Sequence, residues 1–175
     1  MKTIIEIRPK NDLLHFLLLA TIPKNKATKA ESYKYLCVED NTGICCDGKR
    51  VHIVENINDL GCELESGVYS IEKNTKSLIQ LSPVTTNEKY PNWRRVIPDY
   101  AGKDEFTWET YGQVDYSDAV CRLIRRLPEF TILNIDHLKD ICNLRNDWKC
   151  CWYGVTELIK FVQGNVMAVT MPYSQ

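Results

Sequence analysis

A helix followed by strands occurs in each half of this chain, and that doubled pattern limits its fold more than any other feature. In the first half, Leu13, Leu14, Phe16, Leu17, Leu18 and Leu19 cover most of the circumference of a helix predicted over 13–20. Such a helix must be heavily buried. Asn11 or Asp12 supplies a cap and Pro23 a stop. Strands are expected over 3–7, 33–39, 68–71 and 78–81, with a further strand region over 44–54 broken at Asp47-Gly48. Residues 41–43 read as a turn. In 33–39, Tyr33, Tyr35 and Cys37 share one face, and Leu36 and Val38 the other.

In the second half, Val120, Leu123, Ile124 and Leu127 recur at helical spacing. A helix is expected over 117–127, capped by Ser117 and ended by Pro128. Another is expected over 135–144, capped by Asn134, with Ile135, Leu138, Ile141 and Cys142 inward. Strands over 148–153, 157–163 and 166–171 close the chain, the last two joined by a Gly164-Asn165 turn. Antiparallel strands with two or three helices on one side make an α+β domain. At 175 residues the chain fits a single domain, 1–175. Its stretch of about 82–117, rich in Pro, Gly and aromatics without a sustained period, reads as a long irregular insertion.

Composition narrows the function classes. Hydrophobic residues make up 44% and charged residues 26%, enough for a sizeable core, and the formal net charge is -1. Proteins that grip nucleic acid by charge are strongly basic, so DNA contact here requires a local patch or encirclement. No apolar run reaches the roughly 20 residues that span a membrane. Glu6, Arg8 and Lys10 follow too soon for a signal peptide, which points to the cytoplasm.

The eight cysteines include two adjacent pairs, Cys45/Cys46 and Cys150/Cys151, and no Cys-x-x-Cys. Adjacent strand residues point to opposite faces and cannot both reach one ion. The expectation is reduced core thiols, with no metal and no cofactor; a cysteine-based metal or redox protein is the competing reading. No catalytic constellation is present. His15 lies in the leucine-rich helix, His52 in a strand, and His137 is expected on an outer helix face. There is no Gly-rich phosphate loop, Gly-x-Ser-x-Gly or His-Glu-x-x-His. A non-enzyme is expected.

Three stretches carry a family resemblance. The first is Tyr90-Pro91-Asn92-Trp93-Arg94-Arg95-Val96-Ile97-Pro98, whose prolines fix φ and hold their predecessors extended. The second is Ile44-Cys45-Cys46-Asp47-Gly48-Lys49-Arg50-Val51, and the third Val166-Met167-Ala168-Val169-Thr170-Met171-Pro172. They resemble, in order, the Arg-Arg-Val-Leu/Ile-Pro loop, the Thr-Asp-Gly-His-Arg-Leu segment and the terminal Val-Met-Pro-Met strand of bacterial DNA sliding clamps, the β subunit of DNA polymerase III. Cys46, Lys49 and Val51 replace the Thr, His and Leu of the second motif. Residues 105–113 have no counterpart.

The resemblance implies a clamp-like domain whose hydrophobic groove receives clamp-binding-motif peptides from polymerases, the clamp loader and repair proteins. Gly48, Arg50 and Val51 would form one wall, Pro91 and Val96 another, and Val169 and Met171 the floor. Arg50 and Arg95 would orient the peptide at the rim. It also implies contact with duplex DNA without sequence preference, through Arg122, Arg125 and Arg126 as one basic helix face, with Arg145 and Lys149 second. A family chain has three such domains, so a ring built from this one would require a homo-oligomer. The two functional readings are a processivity accessory and a clamp-fold interaction module that no longer encircles DNA.

Overall fold

Two residues in the left-handed region set the first hairpin. Asp40 (φ 49°) and Asn41 (φ 60°) join strands whose register pairs Glu39 with Thr42. A two-residue loop with positive φ at both positions matches the twist of its strands, and Asp and Asn tolerate that conformation. The turn thus lies at Asp40-Asn41, one residue before the expected site. Asn41 does further work: its carbonyl accepts from the Ile57 amide at 2.9 Å and its Oδ1 from Asn58 at 3.0 Å.

The computed structural model describes residues 4–7, 12–23, 26–28, 30–61, 63–75, 77–85, 89–97, 105–110, 116–127, 131–144, 147–152 and 157–172. Among them are ten strands and three α-helices. The chain divides into two compact units, Met1–Trp93 and Arg94–Gln175. Every strand pairing within each is antiparallel, as an α+β class requires.

The first unit holds β1 (Ile5–Ile7), α1 (Asp12–Leu19), β2 (Tyr35–Glu39), β3 (Thr42–Cys46), β4 (Arg50–Glu55), β5 (Gly67–Asn74) and β6 (Ile79–Pro83). Their order in the sheet is β1-β6-β5-β2-β3-β4. Helix α1 packs on β3 and β4. Leu14, Phe16, Leu17 and Leu18 are buried, while Leu13 and Leu19 are half-buried. Alternation along β2 is as expected: Leu36 and Val38 are buried, Tyr35 and Cys37 half-buried. Tyr33 instead belongs to a 3-10 turn over Glu31–Lys34. Gly43 faces α1, and a Cβ there would lie 2.6 Å from Leu17 Cδ2 and 2.5 Å from Ile57 Cδ1. Any larger residue there would have to push these two side-chain ends aside.

The second unit holds β7 (Glu105–Glu109), α2 (Tyr116–Ile124), α3 (Ile135–Cys142), β8 (Asp147–Cys151), β9 (Ile159–Gln163) and β10 (Val166–Thr170), in the sheet order β10-β9-β8-β7. Gly164 (φ 55°) makes the β9–β10 turn. Helix α2 packs on β7 and on α3. Trp108, Trp148 and Phe161 are fully buried.

Further expectations are corrected. The 82–117 stretch is not irregular throughout: it contains a 3-10 turn over Trp93–Val96 and strand β7, whose Glu-Phe-Thr-Trp-Glu alternation sets Trp108 inward. Helix α2 begins at Tyr116, so Ser117 lies inside it, and Ile124 is exposed although Val120, Leu123 and Leu127 are buried. Helix α3 is capped as expected, the Asn134 side chain accepting from the Asp136 amide at 2.9 Å, and Leu138, Ile141 and Cys142 are buried as expected, but two of its residues change places. His137 is buried and Ile135 is exposed, because the imidazole Nδ1 finds the Thr170 hydroxyl at 3.0 Å. A satisfied hydrogen bond makes burial of that ring tolerable.

Candidate functional site

Asp47 organises the β3–β4 turn. Its Oδ1 accepts from the amides of Lys49 (2.9 Å) and Arg50 (3.0 Å), and its Oδ2 pairs with Arg50 Nε at 3.0 Å. Such side-chain acceptance of its own following amides is what favours Asp at turns. Gly48 takes φ 87°, with the Tyr33 ring 3.0 Å from where a Cβ would stand. Arg50 then reaches back to α1: its Nη2 donates to the Leu19 carbonyl at 2.5 Å. A cation at a helix C-terminus satisfies an orphan carbonyl and complements the helix dipole. Arg50 is therefore a tether from turn to helix, largely withdrawn from solvent, rather than a rim cation. The next residue, Val51, is 4% exposed.

The 90–97 segment is anchored by its aromatics. The Tyr90 hydroxyl donates to the Ile44 carbonyl at 3.1 Å, and Trp93 Nε1 to Glu39 Oε2 at 3.0 Å. Burial pushes the Tyr90 phenol well above its ordinary range. Pro91 is half-buried, Arg94 and Arg95 are exposed, and Val96 is 37% exposed. Pro98 lies outside the described residues. In the carboxyl-terminal stretch Val169 is 2% exposed, whereas Met171, just past β10, is 49% exposed. Of the seven residues expected to meet a peptide, Val96 and Met171 thus present apolar surface. Val51 and Val169 lie beneath the surface of their strands.

The three arginines share one side of α2 and of the turn that follows it. Arg122 lies on α2, but Arg125 and Arg126 follow its end, in a turn closed by Arg125 N to Cys121 O (3.1 Å) and Arg126 N to Leu123 O (2.9 Å). All three line a groove of about 310 Å³ whose other wall is Phe106–Glu109 of β7. Arg122 faces Glu109 at 3.6 Å, both well exposed. Lys149 on β8 is held by Glu105 of β7 at 2.6 Å; that contact raises the ammonium's pKa and lowers the carboxyl's. Arg145 lies outside the described residues. Sequence reasoning missed the β7 wall, although the five-residue alternation of 105–109 carried the signal.

Apart from the exposed Cys121, the described thiols are buried or half-buried and have the chemistry of core residues. Cys45 and Cys46 lie on opposite faces of β3, and both are buried. Burial pushes Cys37 up to about 11 and Cys142 up to about 12, and raises Cys45, Cys46 and Cys150 as well. Thiolate is the nucleophile and the metal ligand, so these positions disfavour both roles. Among the described residues no three of His, Cys, Asp and Glu cluster as metal ligands. Cys62 is not among those described. His15 contacts Asn74 Oδ1 at 3.1 Å, and His52 is buried against Phe16. No helix among the described residues is long and apolar enough to cross a membrane.

No protein-family model and no curated protein sequence matches the chain. Its backbone is nevertheless similar to solved bacterial sliding clamps along nearly its whole length. The DNA polymerase III subunit beta from Pseudomonas aeruginosa matches over 99% of this chain and 67% of its own, with a TM-score of 0.53 at 13% identity. The Helicobacter pylori beta clamp bound to a DNA ligase peptide matches over 100% and 67%, with 0.58 at 9%. The Caulobacter crescentus pol III beta matches over 99% and 66%, with 0.56 at 12%. At such identities the likeness is one of fold. The chain has the DNA sliding-clamp fold, matched to about two thirds of the length of each of these proteins.

Proposed function

We propose that this chain is a non-enzymatic, clamp-like accessory protein of DNA replication in the cytoplasm that receives short linear peptides of polymerase or clamp-loader type. The observation that carries the reading is the sliding-clamp fold along the whole chain. Three sequence stretches that resemble clamp motifs occur on that fold. Val96 and Met171 are the exposed apolar contacts, and Met suits an adaptable pocket. Gly48, Arg50 and Val51 shape the β3–β4 turn, Pro91 stiffens its own segment, and Val169 packs within β10.

Isothermal titration with a clamp-binding-motif peptide tests the reading. Saturable binding is expected, weakened about tenfold by Met171→Ala or Val96→Ala, the loss that corresponds to about 1.4 kcal/mol of buried apolar side chain. Absence of heat at saturating peptide overturns it.

A second reading adds duplex DNA, held without sequence preference. The exposure of Arg122, Arg125 and Arg126 favours it. Binding would then fall steeply with salt, and sedimentation would show a homo-oligomer large enough to enclose a duplex. A monomer that ignores duplex DNA at low salt leaves the peptide-binding module alone.

A further inference from the structure

The groove beside β7 is lined by four consecutive residues of one strand, Phe106–Glu109. Successive strand residues point to opposite faces. A cleft that touches all four therefore runs along the strand's edge. β7 ends its sheet: it pairs with β8 on one side, and among the described residues no strand pairs with the other. An edge strand offers a row of backbone donors and acceptors to an incoming extended segment.

The opposite wall supplies charge. Glu109 faces Arg122, which leaves Arg125 and Arg126 with no ion pair among the described residues. Both guanidiniums project from a turn whose amides are hydrogen-bonded back to α2. The walls are held in fixed relation, because the buried Trp108 of β7 donates its Nε1 to the Ala119 carbonyl of α2 at 2.7 Å. Guanidinium forks match carboxylates bidentately.

We propose that this groove binds an extended, acidic peptide segment of a partner protein as an added strand on β7, with its carboxylates on Arg125 and Arg126. The groove's shape favours a peptide over a duplex: a cleft of about 310 Å³ along a strand edge admits a single extended chain. Its lining shares no residue with the clamp-motif peptide contacts at Val96 and Met171.

The test uses the full chain and a fluorescein-labelled eight-residue peptide alternating Glu and Val, read by anisotropy. Saturable one-to-one binding is expected, weakened at least tenfold in the Arg125→Ala/Arg126→Ala double variant and by N-methylation of alternate peptide amides. The variant replaces exposed side chains, and unchanged circular dichroism together with unchanged clamp-motif peptide binding shows that it is folded. A Lys/Val peptide binding as tightly, or an N-methylated peptide binding undiminished, overturns the proposal. So does displacement of the bound peptide by stoichiometric duplex DNA, which would make the arginines a nucleic-acid contact. A self-association that the double variant abolishes, without peptide binding, would assign the edge to a second copy of the chain.

Discussion

The imidazole of His52 stacks on the ring of Phe16, with centroids 4.0 Å apart and planes within 5°, while its Nδ1 lies 2.7 Å from the Phe16 carbonyl. One strand residue thus grips both the side chain and the backbone of α1. Replacement by Ala removes the stack and leaves a polar group unmatched in a buried place. His52→Ala is expected to cost about 2–4 kcal/mol. His52→Phe, which keeps the stack, should cost about 1–2 kcal/mol. Urea unfolding midpoints measure both, and equal losses would show that the ring stack contributes nothing beyond the hydrogen bond that both variants lack.

Gly43 is predicted to be intolerant for a reason that can be relieved. Its Cβ would collide with Ile57 Cδ1 and Leu17 Cδ2. Gly43→Ala should therefore destabilise by about 1–3 kcal/mol. Ile57→Val removes one of the colliding methyls, so the double variant should be less destabilised than the two single losses added together. A double-mutant cycle reads this coupling, and strict additivity would count against the contact.

Asn134 caps α3 through Asp136. Asn134→Ala should lose about 1 kcal/mol, whereas Asn134→Ser or Asp should retain most of it. Thermal melts of the three variants decide the order.

The thiols give a pH dependence whose sign follows from burial. Cys37 is raised to about 11 and Cys142 to about 12 from an ordinary 9.0, so the folded state keeps protons that the unfolded chain releases. Stability is then undiminished below about 9 and falls as pH rises from there toward 11 and 12. A Cys37→Ala/Cys142→Ala variant should show a shallower alkaline fall in melting temperature. The same protection predicts that iodoacetamide at pH 8 alkylates the exposed Cys121 well before Cys45 and Cys150, which stay unmodified until unfolding.

Local chemistry made much of this fold legible from residues alone. The leucines of α1, the Asn134 cap and the Gly164 turn each act within a few positions of themselves, so their spacing declared them. What escaped depends on partners remote in sequence. His137 enters the core because Thr170, 33 positions on, meets its ring. Ile135 and Ile124 stand outside although periodicity alone would bury them. β7 hid because β8, some forty residues later, is what makes it a strand. At the candidate site, motif spacing located the turn and the two stretches. It could not distinguish exposed Met171 from buried Val169, since packing alone sets that difference.

The Asp47–Arg50–Leu19 linkage has a kinetic corollary. Asp47 holds the Lys49 and Arg50 amides, and Arg50 holds the last turn of α1. Neither end can open while the guanidinium stays in place. In hydrogen exchange the two turn amides should share one opening free energy with the end of α1, although they are some thirty residues apart, so that hairpin and helix behave as a single cooperative unit. Arg50→Met would divide that unit into two, and the turn amides would then exchange ahead of the helix.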